Sequence, residues 1–258
     1  PIHKCAENLK LIIRNPKNLN SEEELAFIKK LNPDIVIVVA YGQLISEEFL
    51  NIVKNGFINI HASLLPKWRG AAPIQRSIMN SDNETGISIM KISKELDAGP
   101  VMKKIKIKID ETTTADDLSK NLSKISSDAI IQILDEIFDK KSKFIEQNHN
   151  FATYAKKIIK SEAKINWNEN AKKILAKING LNPDPGAWFL HKETRYKIWK
   201  AKILDKKGPI GVILDSNFTI GCKDKSLEII EIQKEGKNKL QLKNFLRGIN
   251  FQQGDEVN

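Results

Sequence analysis

Asn59 and His61 stand two apart in the run Phe-Ile-Asn-Ile-His, residues 57–61. In an extended strand, residues i and i+2 share a face. The spacing therefore sets an amide that donates hydrogen bonds beside an imidazole. Both can hold the negative charge of a tetrahedral oxyanion, and the imidazole can also move a proton if a neighbour tunes it. A carboxylate, Asp97, lies further on in the turn Leu96-Asp97-Ala98-Gly99. Alone it would read as a turn-former. With Asn59 and His61 it completes a base, a group that orients it and an oxyanion donor.

The loop after His61 is bent and largely apolar. Ser63-Leu64-Leu65-Pro66 sets backbone donors and an apolar wall beside the imidazole, and Trp68-Arg69-Gly70 adds a planar group, a cation and a tight bend. No metal is suggested. His3, His149 and His191 have no ligand partners nearby in sequence and read as surface residues. Cys5 and Cys222 form no C-x-x-C and read as reduced and incidental.

These residues need a sheet to hold them. Residues 21–31 read as a helix capped by Ser21, with Glu24 in capping-box position. The run 35–40 (IVIVVA) reads as a fully buried strand. A short helix over 46–54 closes at Gly56, and a strand over 57–60 follows. Residues 72–80 suit a helix starting at Pro73, and 85–92 and 101–109 suit strands. Apolar residues at Leu118, Leu122, Ile125, Ala129, Ile133 and Ile137 predict a long amphipathic helix over 114–139. Strands alternating with helices argue for a mostly parallel, Rossmann-like α/β sheet, and the carboxyl ends of its strands are where ligands bind.

From about 140 to 160 the chain is polar and aperiodic, as a linker would be. A short helix over 168–178, ended by Gly180, leads to the turn cluster Asn182-Pro183-Asp184-Pro185-Gly186. Strand-like runs at 187–190, 196–204, 210–214, 217–222 and 226–233 then suggest a small β-barrel. The division expected is 1–142, a linker at 143–160, and 161–258.

Charge separates the two halves. Residues 1–142 carry 20 Lys and Arg against 19 Asp and Glu, whereas 143–258 carry 22 against 13. A Lys-rich genome would bias both halves alike, so the excess points to a surface for a polyanion, commonly nucleic acid. At 41% hydrophobic the chain can bury a core. No apolar run reaches the ~18–20 residues of a membrane helix, and residues 1–30 lack a signal-peptide pattern.

The stretch "NIHASLLPKWRGAAPIQ" followed by "LDAGPV" resembles the folate-dependent formyltransferases. Within that group "WRGAAPIQRSI" looks like the branch that acts on methionyl-tRNA, and "TYAKKIIKSEAKINW", "NGLNPDPGAWF" and "YKIWKA" resemble that branch's C-terminal region. The resemblance implies a catalytic domain, a linker and an OB-like barrel that helps hold tRNA. It implies Asn59, His61 and Asp97 as the catalytic set, and Ser63, Leu64, Leu65 and Pro66 as lining for the folate. It implies formyl transfer from 10-formyltetrahydrofolate to the α-amine of initiator methionyl-tRNA, with no metal, by a cytoplasmic monomer. Members of this family begin with a strand, a Gly-containing turn and a basic loop. None is seen before Pro1, so an upstream βαβ is expected to be missing. Two other readings stay open: transfer to another amine such as an amino sugar or a nucleotide, and a non-catalytic tRNA-binding fragment.

Overall fold

The computed structural model describes residues 2–248 and 251–258. A short helix, α1 (Ile2–Asn8), is one the residue pattern does not announce. The next, α2 (Glu22–Leu31), begins where Ser21 accepts from the Glu24 N–H at 3.4 Å and ends at Asn32, whose left-handed φ of 46° lets its N–H reach Ile28 O. The capping box is only half made, because Arg14 takes the Glu24 carboxylate as an ion pair.

The strand expected over 35–40 is shorter and less buried: β1 (Val36–Val38) is half-buried throughout. The physical reason is its place at the edge of the sheet, where a groove lined by Val38, Val39 and Tyr41 opens beside it. Ser46 caps α3 (Glu47–Ile52), and β2 (Phe57–His61) follows. Then come β3 (Arg69–Gly70), α4 (Pro73–Met79), β4 (Glu84–Lys91), β5 (Val101–Lys108) and α5 (Ala115–Phe138). The sheet order is β1-β2-β4-β5. The parallel pairing lies between β1 and β2; β4 then runs antiparallel to both β2 and β5, with a turn joining β4 to β5. Helix α5 lays Leu118, Leu122, Ala129, Ile133 and Ile137 on Ile58, Ile60, Ile87 and Ile89 of the sheet. Burying each such side chain stabilises by roughly 1.5–3 kcal/mol, which fixes β2 and its Asn-x-His firmly.

The polar segment after α5 is not a free tether. Its strand β6 (Tyr154–Ala155) pairs in parallel with β3. Beyond it, α6 (Ala171–Gly180) is capped from outside: the Ala171 N–H donates to Asp224 Oδ1 at 2.8 Å, which holds that carboxyl below its ordinary range. The C-terminal sheet contains β7 (Trp188–His191), β8 (Thr194–Leu204), β9 (Thr219–Gly221), β10 (Ser226–Lys234) and β11 (Leu240–Gln241), followed by α7 (Leu242–Phe245). Its pairings are all antiparallel, and it curls around α6 with Phe189, Phe218, Ile174 and Ile178 at its centre. Burial pushes the Cys222 thiol up to about 12, so it packs as a small hydrophobe.

Two expectations fail here. Residues 210–214 make isolated bridges instead of a strand, since Gly211 takes a φ of 69° in their midst. His191 is buried, not on the surface: its Nδ1 lies 3.0 Å from Glu256 O and its ring packs on Phe251.

The halves meet where α4 packs on α6. A Cβ on Gly180 would stand 2.6 Å from Met79 Cγ, so only glycine permits that approach. Arg76 of α4 donates to both Glu162 oxygens, at 2.8 and 3.0 Å. That pairing lowers the Glu162 carboxyl from the ordinary value of 4.5. A lowered folded-state pKa gives stability that is present above the unfolded value and lost as pH falls through the folded one. Glu162→Gln should therefore cost about 1–2 kcal/mol at pH 7, and the gap should close as pH falls below about 4.5. Denaturant titrations across pH 2–7 check it; a gap that persists at pH 2 would contradict the assignment.

Candidate active site

Asn59 and His61 face the same way from the end of β2, as their spacing predicts, and the β4–β5 turn brings Asp97 to them. Asn59 Nδ2 lies 3.5 Å from Asp97 Oδ1, and His61 Nδ1 lies 3.6 Å from Asp97 Oδ2. The His61 side chain is 7% exposed and that of Asp97 16%, so one edge of the cluster is open. Asp97 sits at a φ of 48°, a region a non-glycine residue occupies at a cost of order 1–3 kcal/mol unless its surroundings hold it there.

The surroundings come from the loop after His61. The Trp68 carbonyl lies 2.8 Å from His61 Nε2. A carbonyl only accepts, so Nε2 carries a proton and Nδ1 is left facing Asp97 and the open edge. The Gly70 N–H donates to Asp97 Oδ2 at 2.8 Å. Gly70 adopts a φ of 113°, and a Cβ there would stand 3.0 Å from Ala155 O, so this donor position requires glycine. Two backbone groups, one on each side of Arg69, thus grip the imidazole and the carboxylate.

The loop is anchored at several points. The Trp68 N–H donates to Thr153 Oγ1, and the indole N–H to Asp82 Oδ2 at 2.7 Å. Ser88 Oγ accepts from the Leu65 N–H and donates to Ser63 O. The four loop residues read as folate lining divide by exposure. Ser63 and Leu65 are buried, with Ser63 Oγ donating to Lys67 O at 2.6 Å, while Leu64 and Pro66 remain half-exposed. Among the described residues Asn59 Nδ2 makes only the long contact to Asp97, which leaves amide donor capacity for a ligand. Among the described residues no group of three or more His, Cys, Asp or Glu could hold a metal ion.

Sequence reasoning found the three polar side chains and missed what holds them. The contribution of Trp68 and Gly70 is backbone, which side-chain identity does not reveal. Asp82 acts from 14 residues away and carries no local signal. The glycine after Arg69 was the one hint of a close approach.

A profile described as "Formyl transferase" matches residues 1–134, and one described as "Formyl transferase, C-terminal domain" matches residues 157–250. A "Methionyl-tRNA formyltransferase" of Pelagibacter ubique (strain HTCC1062) is 50% identical over 259 residues, covering 100% of this chain and 84% of the relative. Among solved structures, "Methionyl-tRNA formyltransferase from Clostridium thermocellum" superposes with a TM-score of 0.59 at 21% identity, covering 88% of this chain and 92% of that one. HypX from Aquifex aeolicus in complex with tetrahydrofolic acid gives a TM-score of 0.67 at 18% identity, covering 91% of this chain but only 44% of HypX. At those identities the two structures show likeness of fold alone.

Proposed function

This chain belongs to the formyl transferase family, and we propose that it transfers a formyl group from 10-formyltetrahydrofolate to the α-amine of initiator methionyl-tRNA, the step that prepares that tRNA for translation initiation. One observation carries the reading. His61 Nε2 is tied to the Trp68 carbonyl, so Nδ1, Asn59 Nδ2 and the Asp97 carboxylate all converge on one open edge.

The roles follow from that geometry. Attack by the amine nitrogen places negative charge on the formyl oxygen. Asn59 Nδ2 donates to that oxygen, and a protonated His61 Nδ1 does the same. Asp97 orients His61 and takes the proton the amine must lose, directly or through one water. His61 Nδ1 gives its proton to N10 as the bond from N10 to the formyl carbon breaks, and Asp97, 3.6 Å away, returns the amine's proton to Nδ1. The half-exposed Leu64 and Pro66 form an apolar wall that suits the flat ring system of a folate, while Ser63 and Leu65 hold the wall in place from beneath.

We assign the chemistry to 1–142, the tRNA grip to 161–258, and the join to 143–160. The two family profiles, which stop at 134 and resume at 157, support that division. The excess of 18 basic over 12 acidic residues in 161–258 supports the tRNA grip there. On the outer face of that sheet, Lys164 and Arg195 lie over the Trp188 ring and Lys197 over the Trp199 ring. Cations beside half-buried indoles suit phosphates and unstacked bases. A cytoplasmic monomer fits a translation role, and no helix among the described residues is long and apolar enough to cross a membrane.

Affinity for methionyl-tRNA should fall by at least about 10³-fold between 50 and 200 mM salt if six or more phosphates are neutralised. Lys164→Ala with Lys197→Ala should reduce the log–log slope by about one per lost contact. An unchanged slope would place the tRNA on another face. Acceptor choice tests the reaction itself. Methionyl-tRNA should be formylated, whereas free methionine and a nucleotide-linked amino sugar should not; transfer to the sugar alone would favour the amino-sugar branch of the family.

A further inference from the structure

Gln147 is the one buried residue in an exposed stretch: it is 7% exposed, while Ile145 before it is 71% exposed and Glu146 and Asn148 also face solvent. An antiparallel bridge between Val101 and Ile145 brings the segment alongside the start of β5 and turns this side chain inward. Its carboxamide is fully used. Oε1 accepts from Arg69 Nε at 3.2 Å and Nη2 at 2.8 Å. Nε2 donates to Asp97 O and Gly99 O, each at 2.8 Å.

Arg69 is itself 2% exposed, and among the described residues it forms no ion pair with a carboxylate. A buried guanidinium held by an amide oxygen, with His149 Nδ1 3.5 Å from Nη1, is an unusual economy of charge. Its position explains it. Arg69 lies between Trp68, whose carbonyl meets His61, and Gly70, whose N–H meets Asp97. Fixing the Arg69 side chain fixes both backbone contacts. The other end of Gln147 fixes the strained Asp97 backbone from the opposite side.

We propose that Gln147, from the segment joining the two halves, is a positioning residue that registers the two catalytic turns against each other. The proposal rests on the formyl-transfer reading of this site for its kinetic consequence, though not for its geometry. A carboxamide alone meets all four demands. Glutamate can accept from Arg69 but cannot donate to the two carbonyls. Asparagine is one methylene short. Lysine and arginine cannot accept.

Gln147→Glu is therefore diagnostic. It keeps the shape, gives Arg69 a carboxylate, and sets one anionic oxygen, in the place of Nε2, against two carbonyl oxygens. If Gln147 serves only to satisfy Arg69, the variant should work as well as the wild type. If it positions the turns, kcat should fall ten- to hundred-fold with KM for methionyl-tRNA within twofold, because a misplacement of about 1 Å can cost 10²-fold in rate. Gln147→Ala should lose kcat in the same way.

A second readout needs no activity. Amide hydrogen exchange at Gly70, whose N–H is held by Asp97 Oδ2, should speed up at least about tenfold in Gln147→Glu while the α5 amides keep their protection. A variant with wild-type kcat and wild-type Gly70 exchange would overturn the proposal, and so would a raised KM with kcat intact. Global unfolding of both variants would overturn it too, by making Gln147 a residue of the fold. Faster Gly70 exchange in a chain whose wild type transfers no formyl group would leave Gln147 in this role and remove the reaction reading instead.

Discussion

His61→Ala should slow formyl transfer about 10³–10⁴-fold and leave tRNA affinity within twofold. The estimate joins two losses. One oxyanion donor is worth about 10²–10³ in rate, and a proton-transfer group about 10²–10⁴. The two act through one ring and do not simply multiply. The tRNA surface lies on the C-terminal sheet in this reading, well separated in sequence from β2, so binding should be spared. Single-turnover rates and a tRNA titration on one preparation decide it. A variant keeping more than a tenth of the wild-type rate would remove His61 from the chemistry.

Asp97→Asn should lose about 10²–10⁴-fold for a different reason. Asparagine has nearly the same shape, and its Oδ1 can still accept from the Gly70 N–H that now meets Oδ2 at 2.8 Å. The turn should therefore survive. What goes is the charge: an amide cannot take the proton from the attacking amine. With its oxygen on the Gly70 N–H, its Nδ2 falls where Oδ1 now faces Asn59 Nδ2, which sets donor against donor. A fall of that size with an unchanged thermal midpoint would assign Asp97 to proton transfer and orientation. A rate within tenfold of wild type would leave it only a turn-former, the role its position alone suggests.

The cluster of Asn59, His61 and Asp97 was more legible in the residues than the scaffold that holds it. Asn59 and His61 share a face because the strand period is two, and that rule acts within three residues. Helix α5 was legible for a similar local reason, its apolar residues recurring at three- and four-residue steps. By contrast, the burial of Gln147 depends on Arg69, 78 residues away, in a segment with no period to read. The segment 143–160 reads as a linker, and nothing local in it announces that β6 pairs with β3 in the loop after His61. His191 looked like a surface residue because its partners are the carbonyl of Glu256 and the ring of Phe251, at the far end of the chain. The run 35–40 is uniformly apolar and reads as buried, but apolarity cannot say which strand lies at a sheet edge. Local periodicity and motif spacing carried through; contacts closed over long loops did not.

A tRNA-binding chain without catalysis and a hydrolase that releases formate are the readings to separate from formyl transfer. Neither places N-bound formyl on an aminoacyl group. The decisive measurement incubates the full chain with 10-formyltetrahydrofolate and methionyl-initiator-tRNA, then counts N-formylmethionine on the tRNA against tetrahydrofolate formed. Equal amounts, with neither product when methionyl-tRNA is left out, are expected. Formate released at the same rate without tRNA, or tRNA bound with no N-formylmethionine formed, would contradict formyl transfer to methionyl-tRNA by this chain.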